Sequence, residues 1–298
     1  MATMKTLNGY GFNATEFDGK TASDYLLKTD TAADSAKLGG KAPEYYLSPR
    51  NLLDNSDFRN PVNQRGQTEY SNVSYTYAID RWKTLDAGTV TVNDGYITTT
   101  NHLVQFMPKT LNGVYTAAAK MLDGTILIAS GSISGTGSIG DGETIQAGTE
   151  SDTLSYFALR KTGSYIWAAL YEGSYTADTL PPYVPKGYAA ELAECRRYVK
   201  RITGALAGIA HGYANGKAYA TIFTSGPKMR ISPSVDNYSK IAIINGEYYS
   251  DNFTSITGIA SISSREDSIT FWIDSSEISA GKDYYISCEK GVLFSADI

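Results

Sequence analysis

The chain has 298 residues, of which 19% are charged and 42% hydrophobic, with a net charge of −5. At about 150 residues per domain this length predicts two domains and an appendage. With no basic stripe and no block of like charge, it lacks the electrostatic footprint of a phosphate-backbone binder, so nucleic acid is excluded as an expected partner.

The first fifty residues contain an internal repeat. Phe17-Asp18-Gly19-Lys20-Thr21-Ala22-Ser23-Asp24-Tyr25 is echoed by Leu38-Gly39-Gly40-Lys41-Ala42-Pro43-Glu44-Tyr45-Tyr46, with Gly19/Gly40, Lys20/Lys41, Tyr25/Tyr46 and Leu26/Leu47 each 21 residues apart. Each unit carries one large apolar residue, a Gly-Lys turn and a tyrosine, too little to bury a core from one chain. The expectation for residues 1–50 is therefore a thin stalk completed by identical chains; a disordered linker is the alternative. Met1 to Tyr10 has neither the basic start nor the apolar run of a signal peptide, and no stretch approaches the roughly 20 apolar residues that span a bilayer. No membrane insertion is expected, and export would come by assembly or lysis.

Residues 51–180 read as short β runs separated by turn residues: Arg81 to Leu85, Thr89 to Val92, Tyr96 to Thr99, His102 to Met107 and Thr125 to Ser130. The Gly/Ser tract Ser130 to Gly142 lacks a Gly-Lys-Ser/Thr end and reads as a loop or irregular strand. Leu154 to Arg160 and Ser164 to Tyr171 flank Lys161-Thr162-Gly163 and predict a hairpin with Arg160 opposite Tyr165 and Ala158 opposite Trp167. In that register Phe157, Leu159, Ile166, Ala168 and Leu170 share an aliphatic face, and Tyr156, Arg160, Tyr165, Trp167 and Tyr171 share the other. An aromatic face with an arginine suits sugar binding, since a pyranose stacks its C–H side on a ring while polar groups meet its hydroxyls. Burial of that face against a sister subunit or the opposing sheet is the other reading.

Tyr188, Leu192, Cys195, Val199 and Ile202, spaced 4, 3, 4 and 3, predict one helix, entered from Pro181, Pro182 and Pro185 and ended by Gly204. Glu191, Glu194, Arg196, Arg197, Lys200 and Arg201 fall on its polar positions. Residues 187–298 are otherwise β: Lys217 to Thr224, Lys240 to Ile244, Glu247 to Ser250, Ser255 to Ser263, Ser268 to Asp274 and Asp283 to Glu289, with Asn245-Gly246 as the hairpin signal. This region is rich in rings at Tyr248, Tyr249, Trp272, Tyr284 and Tyr285. Adjacent residues of a strand point to opposite faces, so one of Tyr248 and Tyr249 is expected to be exposed, while Trp272 is expected in the core. Tyrosine outnumbers the other aromatics, 23 against 9 Phe and 3 Trp, which suits half-wet positions at interfaces.

Chemistry-bearing residues are sparse. The two cysteines, Cys195 and Cys288, have no metal-ligand spacing and read as buried apolar side chains. The two histidines, His102 and His211, lie in no nucleophile context and read as local hydrogen-bonding groups. No cofactor, metal site or catalytic residue is expected.

The repeats of the form apolar-x-Gly-Lys-x-Ala-x-x-Tyr, with Thr31-Ala32-Ala33-Asp34-Ser35-Ala36-Lys37-Leu38 between them, resemble phage tail fibre stalks. The segment Asn51-Leu52-Leu53-Asp54-Asn55-Ser56-Asp57-Phe58, with Asn60-Pro61-Val62-Asn63-Gln64-Arg65-Gly66 and Ile79-Asp80-Arg81-Trp82, resembles the opening of β-sandwich heads on prophage tail proteins. It is also similar to the opening of jelly-roll carbohydrate-binding modules. The stretches Pro181-Pro182-Tyr183-Val184-Pro185, Glu191 to Tyr198, and Phe294-Ser295-Ala296-Asp297 are similar to segments of the same class.

The resemblance implies an all-β homotrimer: a stalk (1–50), a jelly-roll-like head (51–180), and a junction helix with a second sandwich as receptor-binding tip (187–298). It implies a receptor-binding protein in a virion tail or phage-derived particle, acting outside the cell on a bacterial surface polysaccharide and held by other tail proteins through its N-terminus. The candidate carbohydrate-binding residues are Tyr156, Arg160, Tyr165, Trp167, Tyr171, Tyr248 and Tyr249. A purely structural tail connector is the alternative, and a tail-spike glycosidase, needing only two carboxylates, is the enzymatic one.

Overall fold

The computed structural model describes residues 16–17, 20–21, 49–204, 207–224, 227–236, 241–244, 253–265, 267–288 and 291–296. The protein is mostly β, and it divides into two units, residues 1–48 with 179–182 and residues 49–178 with 183–298. In the first unit β1 (Glu16–Phe17) pairs antiparallel with β2 (Lys20–Thr21). The rest of the stalk repeat, including its second copy, lies outside the described residues, as does the expected Asn245-Gly246 hairpin.

The second unit begins with eleven strands in two sheets. They are β3 (Glu69–Val73), β4 (Lys83–Thr84), β5 (Gly88–Asn93), β6 (Tyr96–Thr99), β7 (Leu103–Met107), β8 (Gly113–Met121), β9 (Ile126–Ile133), β10 (Ser138–Gly140), β11 (Ile145–Ser151), β12 (Leu154–Leu159) and β13 (Gly163–Glu172). One sheet runs β3-β5-β6-β13-β8-β9 and the other β10-β11-β12-β7-β4. Val90, Ile97, Ala117, Ala119 and Leu170 from the first meet Leu103, Met107, Ile145, Phe157 and Leu159 from the second in one core. Trp82 closes its end, edge-on to Phe58 at 5.2 Å and to Phe157 at 5.9 Å.

The expected hairpin of 154–160 with 164–171 does not form. β12 pairs with β7 and β11, whereas β13 pairs with β6 and β8, so Lys161 to Gly163 carries the chain from one sheet to the other. Strands on opposite layers turn their aliphatic sides toward the same core just as hairpin partners do, so alternation alone does not separate the two cases. The face assignment is corrected as well. The β13 register shifts between Tyr165 and Trp167, and such a bulge resets the alternation. Tyr165 therefore joins Ala168 and Leu170 in the core.

The segment 51–58 runs along β13, with Phe58 N–H donating to Ile166 O, Ala168 N–H to Ser56 O and Leu52 N–H to Leu170 O. Its polar side chains stitch the lobe from inside. Asn51 Nδ2 donates to Ser56 Oγ and Ala168 O, while its Oδ1 accepts from Leu53 N–H and Leu170 N–H. Asp80 Oδ1 accepts from Gln64 N–H and Arg65, and Oδ2 from Gln64 Nε2. Buried Arg81 donates to Phe106 O at 2.6 Å and lies 3.5 Å over the Tyr198 ring.

The helix is shorter than expected. The one α-helix among the described residues, α1 (Tyr188–Cys195), ends in a tight turn, and β14 (Val199–Ile202) follows. Val199 and Ile202, expected on its apolar stripe, are strand residues paired with Ser295 and Val292 of β23 (Val292–Ser295). The buried helix face is Glu191 and Cys195, and Tyr188 is exposed. β-Branched Val199 and Ile202 fit a half-buried strand better than a fourth helical turn.

The second lobe packs a three-stranded sheet, β14-β23-β17, against a seven-stranded one, β19-β18-β22-β15-β16-β21-β20. Its strands are β15 (Gly208–Ala214), β16 (Lys217–Phe223), β17 (Ser234–Val235), β18 (Ala242–Ile244), β19 (Phe253–Ser255), β20 (Gly258–Ser264), β21 (Ser268–Asp274) and β22 (Asp283–Ser287). Ala218, Ala220, Ile222, Phe271 and Ile286 of the large sheet bury against Ile202, Val292 and Phe294 of the small one. No helix among the described residues is long and apolar enough to cross a membrane.

Candidate functional site

In β15, β16, β21 and β22 alternate residues are buried and open to solvent. The inner members are mostly small or aliphatic, Ala210, Ala218, Ala220, Ile222, Ile269 and Ile273, with the buried rings of Phe271 and Tyr284 among them. The outer members include unusually large rings. Strand registry lines them up in rows across the sheet: Asp283 opposite His211, His211 opposite Tyr219 and Tyr219 opposite Trp272. The neighbouring row is Tyr285, Ile209, Thr221 and Thr270. With strands about 4.8 Å apart, the first row spans about 14 Å.

Within it, Trp272 takes the edges of Tyr213 (4.8 Å, 77°) and Tyr219 (5.2 Å, 67°). Tyr213 sits where the β15–β16 register shifts, between Gly212 and Ala214. A bulge re-aims its side chain, which here meets Trp272. His211 Nδ1 and Asp283 Oδ1 lie 2.6 Å apart. Between these groups runs a groove of about 590 Å³, lined by Ile209, His211, Tyr219, Thr221, Asp283 and Tyr285. Trp272 is 38%, Tyr219 43%, Tyr285 47% and Tyr213 50% exposed. Four large rings left half open on one face form a cluster of amphipathic contact area, rather than the scattered single apolar residues normal on a surface.

The described residues among those picked from sequence fall in three places. Tyr165 is wholly buried, its hydroxyl donating to Lys161 O, and burial pushes its pKa up. Trp167 and Tyr171 lie on the outer side of β13, but the chain covers them. The indole of Trp167 stacks on the Tyr183 ring at 4.9 Å and 3°, and Tyr175 packs edge-on to Tyr171 at 6.3 Å. Burial raises the Tyr171 hydroxyl to about 12. Tyr156 and Arg160 sit on the outer side of the other sheet, Tyr156 across from Gly148 and Phe106, and Arg160 donating to Gln146 Oε1 at 3.0 Å. Tyr248 and Tyr249 lie outside the described residues. The first lobe thus does not gather Tyr156, Arg160, Tyr165, Trp167 and Tyr171 on one surface.

Trp272, expected in the core, is exposed, and of the Tyr284-Tyr285 pair Tyr284 points in and Tyr285 out. Tyr213, Tyr219 and the His211–Asp283 pair were not singled out from sequence as site residues. The signal was present: Asn215-Gly216, with Gly216 at φ 81, joins two alternating runs and is as strong a hairpin signature as Asn245-Gly246. Among the described residues no cluster of His, Cys, Asp and Glu is arranged to hold a metal ion.

The fold and this face define a class and nothing narrower: a mostly β protein with an open aromatic sheet face. No family model, curated protein or solved structure matches the chain.

Proposed function

We propose that the chain is the receptor-binding end of a phage or phage-derived tail fibre, a homotrimeric adhesin that attaches its particle to a bacterial surface glycan. In this reading residues 1–50 are stalk, the two lobes are jelly-roll-like sandwiches, and the chain binds without catalysing a reaction. The observation that carries it is the open row of Tyr219 and Trp272 beside the groove of the His211–Asp283 pair. Pyranose rings stack on such side chains, while the imidazole, the carboxylate and Thr221 serve hydroxyl groups. The row is long enough for a short oligosaccharide rather than one ring. Weak single-site affinity would be raised by three copies presented together.

The reading is tested by Trp272→Ala and Tyr219→Ala in binding of the purified protein to host cells and to a bacterial glycan array. Loss of at least tenfold in apparent affinity, with the fold intact by circular dichroism, is the expected outcome. Unchanged binding by both variants would move the receptor contact elsewhere. An array silent for the unaltered protein across host polysaccharides would favour a structural connector.

A further inference from the structure

The turn after α1 places three cations around one small hollow. Lys200 of β14 shares its strand face with Ile202, which belongs to the second core. The residue is only 3% exposed. Its ammonium, with three protons to donate, has one hydrogen-bond partner among the described residues, Thr224 Oγ1 at 3.2 Å. It has no ion pair there, and a buried charge left without a counter-charge is costly.

The hollow in front of it has a volume of about 180 Å³ and is lined by Arg196, Lys200, Arg201, Thr203 and Thr224, with no carboxylate in the lining. Arg196 is half-buried; its backbone N–H donates to Leu192 O, and its guanidinium makes no hydrogen bond or ion pair among the described residues. Arg201 uses its Nη1 on Gln64 O at 3.3 Å. Burial first and the charge of Arg196 second lower the Lys200 pKa, against the opposing charge of Asp267. The site is thus short of negative charge.

We propose that this hollow binds a phosphate group. Two arginines, a lysine and two threonines line it beside Ile202 and Phe223, and donors of this kind match a compact group with several charged oxygens better than the single plane of a carboxylate. Bound phosphate satisfies the two unused ammonium donors and supplies the missing counter-charge. The hollow opens at the end of β16, three residues, or about 10 Å, beyond Thr221 of the aromatic groove. A phosphate carried on a sugar therefore reaches it as readily as a free one, and the site stands whether or not the aromatic face binds glycan.

The test is thermal denaturation of the full chain with rising sodium phosphate, against sodium chloride at matched ionic strength, repeated with glucose 6-phosphate and with glucose. A saturable rise in Tm with phosphate or glucose 6-phosphate, absent with chloride, is the expected result. Response to glucose 6-phosphate at lower concentration than to phosphate assigns the group to a glycan, and equal response assigns it to the free ion. Arg196→Ala, a change at a half-open position, is expected to weaken the response about tenfold, and Lys200→Met to abolish it. Lys200→Met carries its own control, because removing an unmatched buried cation should leave the unliganded Tm equal or higher. Equal Tm changes with chloride and phosphate, or an unaltered phosphate response in Arg196→Ala, would overturn the assignment.

Discussion

Replacing Asn55 by alanine and, separately, by glycine probes the motif that opens the first lobe. Asn55 is 1% exposed at φ 49, its Nδ2 donates to Val62 O (2.8 Å) and Asp80 O (2.7 Å), and its Oδ1 accepts from Val62 N–H (2.6 Å). Val62 O keeps one other contact, Asp80 N–H at 3.4 Å. Truncation strands the Val62 N–H and the Asp80 carbonyl in a dry environment, at about 1–3 kcal/mol each, so about 2–6 kcal/mol is lost in either variant. Alanine adds about 1–2 kcal/mol for the left-handed backbone that glycine tolerates. At an ordinary position alanine is the more stable of the two by about 0.4–1 kcal/mol, through the entropy of the unfolded chain. Here the order should close up or invert, with glycine at least as stable. Urea unfolding followed by tryptophan fluorescence measures it, because Trp82 Nε1 donates to Asn55 O at 2.8 Å and senses the site directly. Trp272→Phe removes the exposed indole from the signal. A loss of under about 1 kcal/mol in both variants, or alanine clearly above glycine, would refute the account.

Burial pushes the Glu191 carboxyl above its ordinary 4.5, more than the Asn55 N–H bond and Lys186 pull it down. The folded state therefore holds this proton more tightly than the unfolded one, and the group's contribution to stability falls as pH rises from about 4.5 through the raised folded value. Glu191→Gln should flatten that part of the Tm–pH curve and raise Tm at neutral pH; an unchanged slope would sink the idea. Cys195 and Cys288 are buried, and burial raises both thiols, Cys288 to about 12. Neither should react with a thiol reagent at pH 8 until the protein unfolds, and prompt native-state labelling would contradict this. Gly208 lies so close to Thr221 O that an added Cβ would stand 2.0 Å from it. Gly208→Ala should therefore lower stability by about 1–3 kcal/mol in urea titration, as overpacking against backbone does, and a neutral effect would refute a close approach of β15 to β16 at this position.

Alternation and turn residues made Tyr96 to Thr99 and Ser268 to Asp274 legible in the sequence at their observed bounds. β8 escaped because Thr116-Ala117-Ala118-Ala119 looks like neither an alternating strand nor a turn. Small residues are what that strand needs, since both of its faces are covered and Ala117, Ala118 and Ala119 are all fully buried. β14 was hidden for the opposite reason. Val199 and Ile202 happen to continue the 4-3 spacing of a helix, and only the pairing with β23, nearly a hundred residues on, decides between the two forms. That error also concealed the cationic hollow, because a helical reading sends Lys200 and Arg201 into solvent while a strand sends one of them inward.

The aromatic site illustrates a further limit of a single sequence. Large residues at alternate positions announce one apolar face of a strand but not which face is covered. In the first lobe the rings lost their open face to the chain itself, to Tyr183 and Tyr175. In the second, alanines, isoleucines and the rings of Phe271 and Tyr284 fill the inner face of the large sheet, and the three-stranded sheet covers that side alone. Tyr213, Tyr219, Trp272 and Tyr285 are left on the uncovered side. Burial accounts for the inner residues without reference to the outer ones, so the packing gives no reason for Tyr213, Tyr219, Trp272 and Tyr285 in place of polar side chains, and the proposed glycan contact would supply one.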